Sequence, residues 1–241
     1  MALTASYTEL WRVKNKEANG LLSVGVRLFK AWEKHGLAAP GSDFARACGR
    51  SHMPSFVAEL LALWVHEQRQ AQRLGDDQLL GPLPLGGQEG GGGGSAAAAA
   101  GAPAPLPLGG THPPLRMLLD MLAVAAHFFS ESCGEPLMVC GRDRGYLYDA
   151  DEAGRCRAKW GEDHGRSRPY IIHLVDPSYN VRRGTKFGQW NLLAREAGVL
   201  RAQLLGESWA WCAQHSTLAP AVRHFALLAG GGGGGGPAAA R

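Results

Sequence analysis

The sequence predicts a mainly α-helical bundle with a small β element and low-complexity insertions. Three observations carry that expectation. Apolar residues recur at helical spacing in several separate stretches, strand signals are confined to short runs, and Gly, Pro and Ala are massed in two blocks. Helix and strand do not alternate along the chain, which argues against a doubly wound α/β sheet.

The chain opens as helix, turn, helix. Tyr7 to Lys16 has helical spacing and Asn19-Gly20 breaks it. Leu21, Leu22, Gly25, Leu28, Phe29 and Trp32 then fall on one stripe, with Arg27, Lys30 and Lys34 largely off it and Gly36 placed as a C-cap. Pro54 suits the first turn of a helix whose stripe is Phe56, Leu60, Leu63 and Trp64, running to about Arg73. That helix reads as the central one of the core. Leu115, Leu118, Leu119, Leu122, Ala126 and Phe129 define another, and Trp190, Leu193, Ala197, Leu200 and Leu204 a further one, with a short helix at Ser208 to His215. Strand signals lie at Pro136 to Val139, Tyr146 to Tyr148 and Tyr170 to Val175, the last stopping at Asp176-Pro177.

The two blocks shape the domain plan. Of 34 glycines in 241 residues, eleven lie in Gly81 to Pro114 and seven in Ala229 to Arg241, so the rest of the chain has ordinary glycine content. Segment 81–114 cannot bury enough apolar surface to offset its ordering entropy and reads as a surface insertion; 229–241 reads as a disordered tail. What is left, 194 residues, suits a single domain. Five cysteines without C-x-x-C spacing indicate neither a zinc ribbon nor a disulfide framework. The N-terminus lacks signal-peptide order and no run approaches a membrane span, so a cytoplasmic protein is expected.

Little self-contained chemistry is visible. The one D-x-D spacing, Asp149-Ala150-Asp151, sits in a segment that reads as a solvated loop, with no phosphate-binding glycine loop beside it. His66-Glu67 has no second histidine four residues on, and no G-x-S-x-G is present. No catalytic residue and no metal ligand is assigned. The formal charge of +4 is mild, but it is unevenly placed. Arg12, Lys14, Lys16, Arg27, Lys30 and Lys34 crowd the first two helices, and Arg182, Arg183 and Lys186 form a second cluster. Arg12 and Lys16, four apart on one helix face, suit either phosphates of a nucleic-acid backbone or plain solvent.

Three segments add a resemblance. YTELWRVKNKEANGLLSVGVRLFKAW (Tyr7 to Trp32) resembles the interdomain segment of the 2′,5′-oligoadenylate synthetases, with its pattern F-T-E-L-Q-R, then K, then L-I-R-L-V-K-H-W. MPSFVAELLALWVHEQ (Met53 to Gln68) is similar to that family's L-P-P-Q-Y-A-L-E-L-L helix. Arg168-Pro169, Asp176-Pro177 and Asn180, then Trp190, Leu193, Ala194, Glu196 and Ala197, are similar to its R-P-x-I-L-D-P…N and W-x-x-L-A-x-E-A. The order is kept over about a third of the chain, with 81–114 and 141–167 unmatched.

The resemblance implies that 21–228 is the helical C-terminal lobe of such an enzyme, a substrate-binding domain shared with poly(A) polymerases, and that 1–20 is the linker helix entering it from a nucleotidyltransferase lobe. It implies ATP as a substrate-type ligand, double-stranded RNA as a partner, and Mg²⁺ only on a nucleotidyltransferase lobe whose aspartates belong upstream of Tyr7. Carried over by position, Arg12 and Lys16 match RNA-backbone contacts, and Gly20 stands where a hydroxyl is common. Lys30 matches a lysine that reaches ATP phosphates, while Ser55 and Phe56 match a glutamine and a tyrosine beside the nucleotide. Phe56 is equally well a core residue of its own stripe. The alternative for the whole chain is a catalytically inert helical interaction module.

Overall fold

The computed structural model describes residues 2–49, 51–72, 113–139, 151–152, 154–155, 168–174, 176–207 and 209–223. Residues 81–112 of the expected insertion, the tail at 229–241, Asp149 and the strand expected at Tyr146 to Tyr148 lie outside the described residues, whereas Pro113 and Pro114, placed in the insertion by composition, open a helix.

The architecture is mainly helical, as the apolar spacing requires. Helices α1 (Ala2–Glu17) and α2 (Leu21–Ala31) are joined by a tight turn in which Asn19 (φ 51°) and Gly20 (φ 79°) are both left-handed, a conformation that Asn and Gly tolerate best. Leu22, Gly25 and Phe29 form the buried stripe of α2. The helix does not stop at Gly36. It continues as a π-helical turn, Trp32–Leu37, and Gly36 has no positive φ. Its role is close approach: a Cβ there would lie 2.0 Å from the backbone oxygen of Thr217. The same contact is stitched by the Trp32 indole N–H, which donates to Thr217 Oγ1 at 3.0 Å.

A short helix, α3 (Asp43–Cys48), was not foreshadowed by any apolar stripe. Ser42 caps it, its side chain accepting the Ala45 N–H at 3.0 Å, and Gly49 (φ 61°) ends it. Helices α4 (Ser55–Gln72), α5 (Pro113–Phe128) and α6 (Trp190–Gly206) build the core with α2, and α7 (Trp209–His215) closes against α6. The centre is α5 rather than α4. Every residue from Met117 to Ala125 on α5 is buried, and the helix packs on α2, α4 and α6 together. Its apolar residues cover more than one face, which is the pattern of a helix enclosed by neighbours.

One buried polar pair ties two of these helices: the Arg69 guanidinium of α4 donates to Asp120 of α5, whose carboxyl burial pushes upward against the pull of that arginine. The β element is small, with β1 (Pro136–Leu137) and β2 (Tyr170–Ile171) pairing in parallel. Asn180, fully buried, locks the segment beyond β2 by accepting the N–H groups of Ile171 at 3.2 Å and Arg182 at 3.1 Å. A 3₁₀ turn, Val181–Gly184, follows. Asp151, Glu152, Gly154 and Arg155 are helical, where the sequence suggested a loop.

Candidate nucleic-acid interface and nucleotide site

Helix α1 has two chemically different faces. Thr8, Trp11, Arg12, Asn15, Lys16, Asn19 and Gly20 line one open groove of about 580 Å³, because positions three and four apart fall on one stripe. Lys14 lies two residues from both Arg12 and Lys16, so it points to the opposite side. There it is buried, with its ammonium 3.2 Å from Glu17 and 3.3 Å from the buried Glu67 of α4. This pairing fixes which way α1 is rotated. Asn15 adds a second restraint, its Oδ1 accepting the Ser23 N–H of α2 at 2.9 Å.

The cations left facing outward are Arg12 and Lys16. Arg12 holds Glu9 by two hydrogen bonds of 2.8 and 2.6 Å, and both side chains are more than half exposed. That bidentate contact keeps the Glu9 carboxyl below its ordinary value and lifts the arginine. So exposed a pair is screened by water and salt, and phosphate can replace the carboxylate at little cost. Lys16 is exposed and has no partner among the described residues.

His66 completes the buried side of this junction. Its Nε2 is 3.7 Å from Glu17 and makes no hydrogen bond. Burial lowers the affinity of the ring for a proton, against the opposing pull of Glu67 and Glu17 and with Lys14 adding to the fall. The folded chain therefore resists protonation that the unfolded chain accepts near its ordinary value of about 6.5. The stability His66 contributes is present above that pH and is lost as pH falls below it. Replacing His66 with Gln is expected to flatten the decline of Tm between about pH 7 and 5, as read by thermal unfolding in a pH series; an unchanged slope contradicts the account.

Two of the residues expected to hold nucleotide, Lys30 and Phe56, are already engaged by other side chains. The Lys30 ammonium donates to the Glu33 carboxylate and to the Met53 carbonyl. Glu33 is fully buried, and its other oxygen accepts the Met53 N–H at 2.6 Å, with His52 Nδ1 at 3.7 Å. Lys30 thus reaches the strand of chain that leads into Ser55, the exposed first residue of α4. A triphosphate approaching Lys30 would meet a carboxylate already in place, so this donor set, as arranged, suits anchoring α4 better than gripping an anion. In the sequence Glu33 reads only as one of three acids, with Glu9 and Glu17, set against the cations of Tyr7 to Lys34.

Phe56 lies half-buried in an aromatic row. His173 stacks on it, with centroids 4.9 Å apart and planes at 23°, and Tyr7 of α1 is tilted against it at 5.1 Å and 60°. Burial lowers the pKa of His173, and its Nδ1 accepts the Asp176 N–H at 3.2 Å, so the neutral ring carries its proton on Nε2. The described cysteines offer no nucleophile. Cys48, Cys133 and Cys212 are buried and unpaired, burial raises all three thiols, and that of Cys48 is pushed up to about 11. Cys133 does lie 3.6 Å from His127 Nε2, but the same nitrogen faces Glu135 at 3.5 Å, so no third group orients the ring as a base. Among the described residues no trio of His, Cys, Asp or Glu is arranged for a metal ion, and no helix is long and apolar enough to cross a membrane.

Comparison with known proteins returns no match: no protein-family model, no curated protein and no solved structure is significantly similar to this chain.

Proposed function

We propose that the chain is a helical, substrate-side lobe of the kind found in 2′,5′-oligoadenylate synthetases, and that it grips the backbone of double-stranded RNA through Arg12 and Lys16. The observation that carries this reading is the division of α1, whose third cation, Lys14, is buried and neutralised while Arg12 and Lys16 line one open groove. Trp11 and Asn15 in the same groove add an aromatic wall and an amide. Two cations one turn apart match neighbouring phosphates and carry no base readout, so affinity should be sequence-independent and steeply salt-dependent. Catalysis is assigned elsewhere: Mg²⁺ chemistry belongs to a separate nucleotidyltransferase lobe, and a cytoplasmic location goes with that role.

The test is binding of a labelled RNA duplex across a salt series. Arg12→Ala and Lys16→Ala are each expected to lower the slope of log K against log salt by roughly 0.9, with stability unchanged. No binding near 50 mM salt, or slopes equal to that of the unsubstituted chain, refutes the reading.

Nucleotide binding at Lys30, Ser55 and Phe56 is the weaker half of the reading, because Lys30 must release Glu33 and a base must displace His173 from Phe56. Those same contacts favour the second reading, an inert helical module that keeps the core and has turned the nucleotide groups into internal ties. ATP titration by calorimetry separates the two. Heat that disappears in Phe56→Ala supports nucleotide binding, and no heat at millimolar ATP supports the module.

A further inference from the structure

We infer that the turn Tyr179 to Lys186 is a second nucleic-acid contact, one that takes a single-stranded segment by stacking a base on Tyr179 and pairing its phosphates with Arg183 and Lys186. The turn shares no residue with the lining of the α1 groove, and the inference does not depend on that groove binding RNA.

The turn is built to hold its shape. Asn180 is fully buried and its side chain accepts two backbone N–H groups, from Ile171 and Arg182. The backbone is pinned on both sides: His173 N–H donates to the Tyr179 carbonyl at 3.1 Å, and Tyr179 N–H to the Asp176 carbonyl at 3.1 Å. Arg183 N–H donates to the Asn180 carbonyl at 3.1 Å, and Thr185 closes the turn on the Arg182 carbonyl through both its N–H and its hydroxyl. A surface fixed this way loses little entropy on binding.

What the turn presents is polar at its ends and aromatic at its start. Tyr179 is 40% exposed, one of few large apolar side chains so exposed, and its ring is held edge-to-face against His173 at 6.1 Å. Arg183 and Lys186 are exposed, Arg182 is half-buried, and Lys186 has no partner among the described residues. The turn itself carries no acid, and Asp176, three residues before it, has a carboxylate oxygen occupied by the Ser178 N–H and hydroxyl. An exposed aromatic followed by cations within a few residues is the combination that binds single strands: every base has a face to stack, and the cations track the backbone. An acidic peptide would use the cations but gain nothing from the ring face, so the strand is favoured.

The experiment uses the full chain and a fluorescent, unstructured RNA of about 12 nucleotides, followed by anisotropy over a salt series, with a blunt duplex and heparin in parallel. Tyr179→Ala is expected to weaken single-strand binding by about tenfold, while Tyr179→Phe keeps it. Tyr179→Leu, which preserves the apolar contact with His173 but has no ring face, is expected to lose as much as Ala and so guards against a folding effect. Lys186→Gln lowers the single-strand salt slope by roughly 0.7. Arg12→Ala leaves single-strand binding intact and affects only the duplex, which keeps the outcome distinct from that of the α1 groove. The inference is overturned if the single strand does not bind near 50 mM salt, if Tyr179→Leu binds as tightly as the unsubstituted chain, or if Tyr179→Ala and Tyr179→Leu weaken heparin binding as much as single-strand binding.

Discussion

Lys30→Met is expected to lower the free energy of unfolding by about 3 kcal/mol or more, seen in urea as a fall in midpoint with an unchanged slope. Among the described residues, the substitution removes the only fixed positive charge in contact with Glu33, whose carboxylate has no solvent exposure. The Met53 N–H remains at 2.6 Å, with the His52 ring at 3.7 Å. An ion left buried without its partner is among the most damaging single changes to a core. The reverse variant, Glu33→Ala, should cost less, because the Lys30 side chain is 22% exposed and its ammonium can turn toward water. A Lys30→Met/Glu33→Leu double variant should recover much of the loss, since it abandons both charges. If Lys30 serves only to meet phosphates, Lys30→Met leaves the urea midpoint where it was.

Gly36→Ala is expected to cost roughly 3 kcal/mol, at the upper end of overpacking effects, and to lower Tm by about 6 to 12 °C for a chain of this size. The added methyl would lie 2.0 Å from the Thr217 carbonyl oxygen and 3.1 Å from both its carbon and the Trp32 ring. The main obstacle is backbone, which cannot rotate away as a side chain can. Gly198→Ala is the control. Its Cβ would meet the nearest atom, Ala126 Cβ, at an ordinary 3.8 Å on α6, and alanine gains helix propensity, so Tm should hold or rise. Equal Tm values for the two variants would remove the close-approach explanation of Gly36.

Much of this fold is legible in the sequence because long amphipathic helices announce themselves. The stripes through Leu22, Leu60, Leu118 and Leu193 each mark a helix whose marked residues are buried or packed against the core. Short elements and helix ends are less legible. Ser42 and Gly49 are adequate caps for α3, but six residues show no periodicity, and a glycine after a helical stripe looks the same whether it ends the helix or admits a neighbouring chain. The centrality of α5 also escapes a stripe count, because it depends on how many partners surround a helix.

The candidate site divides in the same way. That Arg12 and Lys16 share a face follows from their spacing alone, whereas the inward turn of Lys14 depends on Glu67, which is far along the chain. The resemblance puts Lys30 and Phe56 at one nucleotide, and in the structure Lys30 holds the carbonyl of Met53, three residues before Phe56. The carboxylate on one and the imidazole on the other come from residues whose types carry no such message: Glu33 reads as surface, and His173 as one more residue of an apolar strand.

The tie between Trp32 and Thr217 joins groups 185 positions apart. Chain growth is directional, so a nascent protein displays that indole and the π-helical turn around it long before the ribosome delivers their cover. Non-local closure of this kind slows folding and prolongs exposure of sticky intermediates. Synthesis of this protein should therefore lean on holdase chaperones until its last turns emerge, and a stop codon placed just ahead of Thr217 should yield aggregates in place of a shortened bundle.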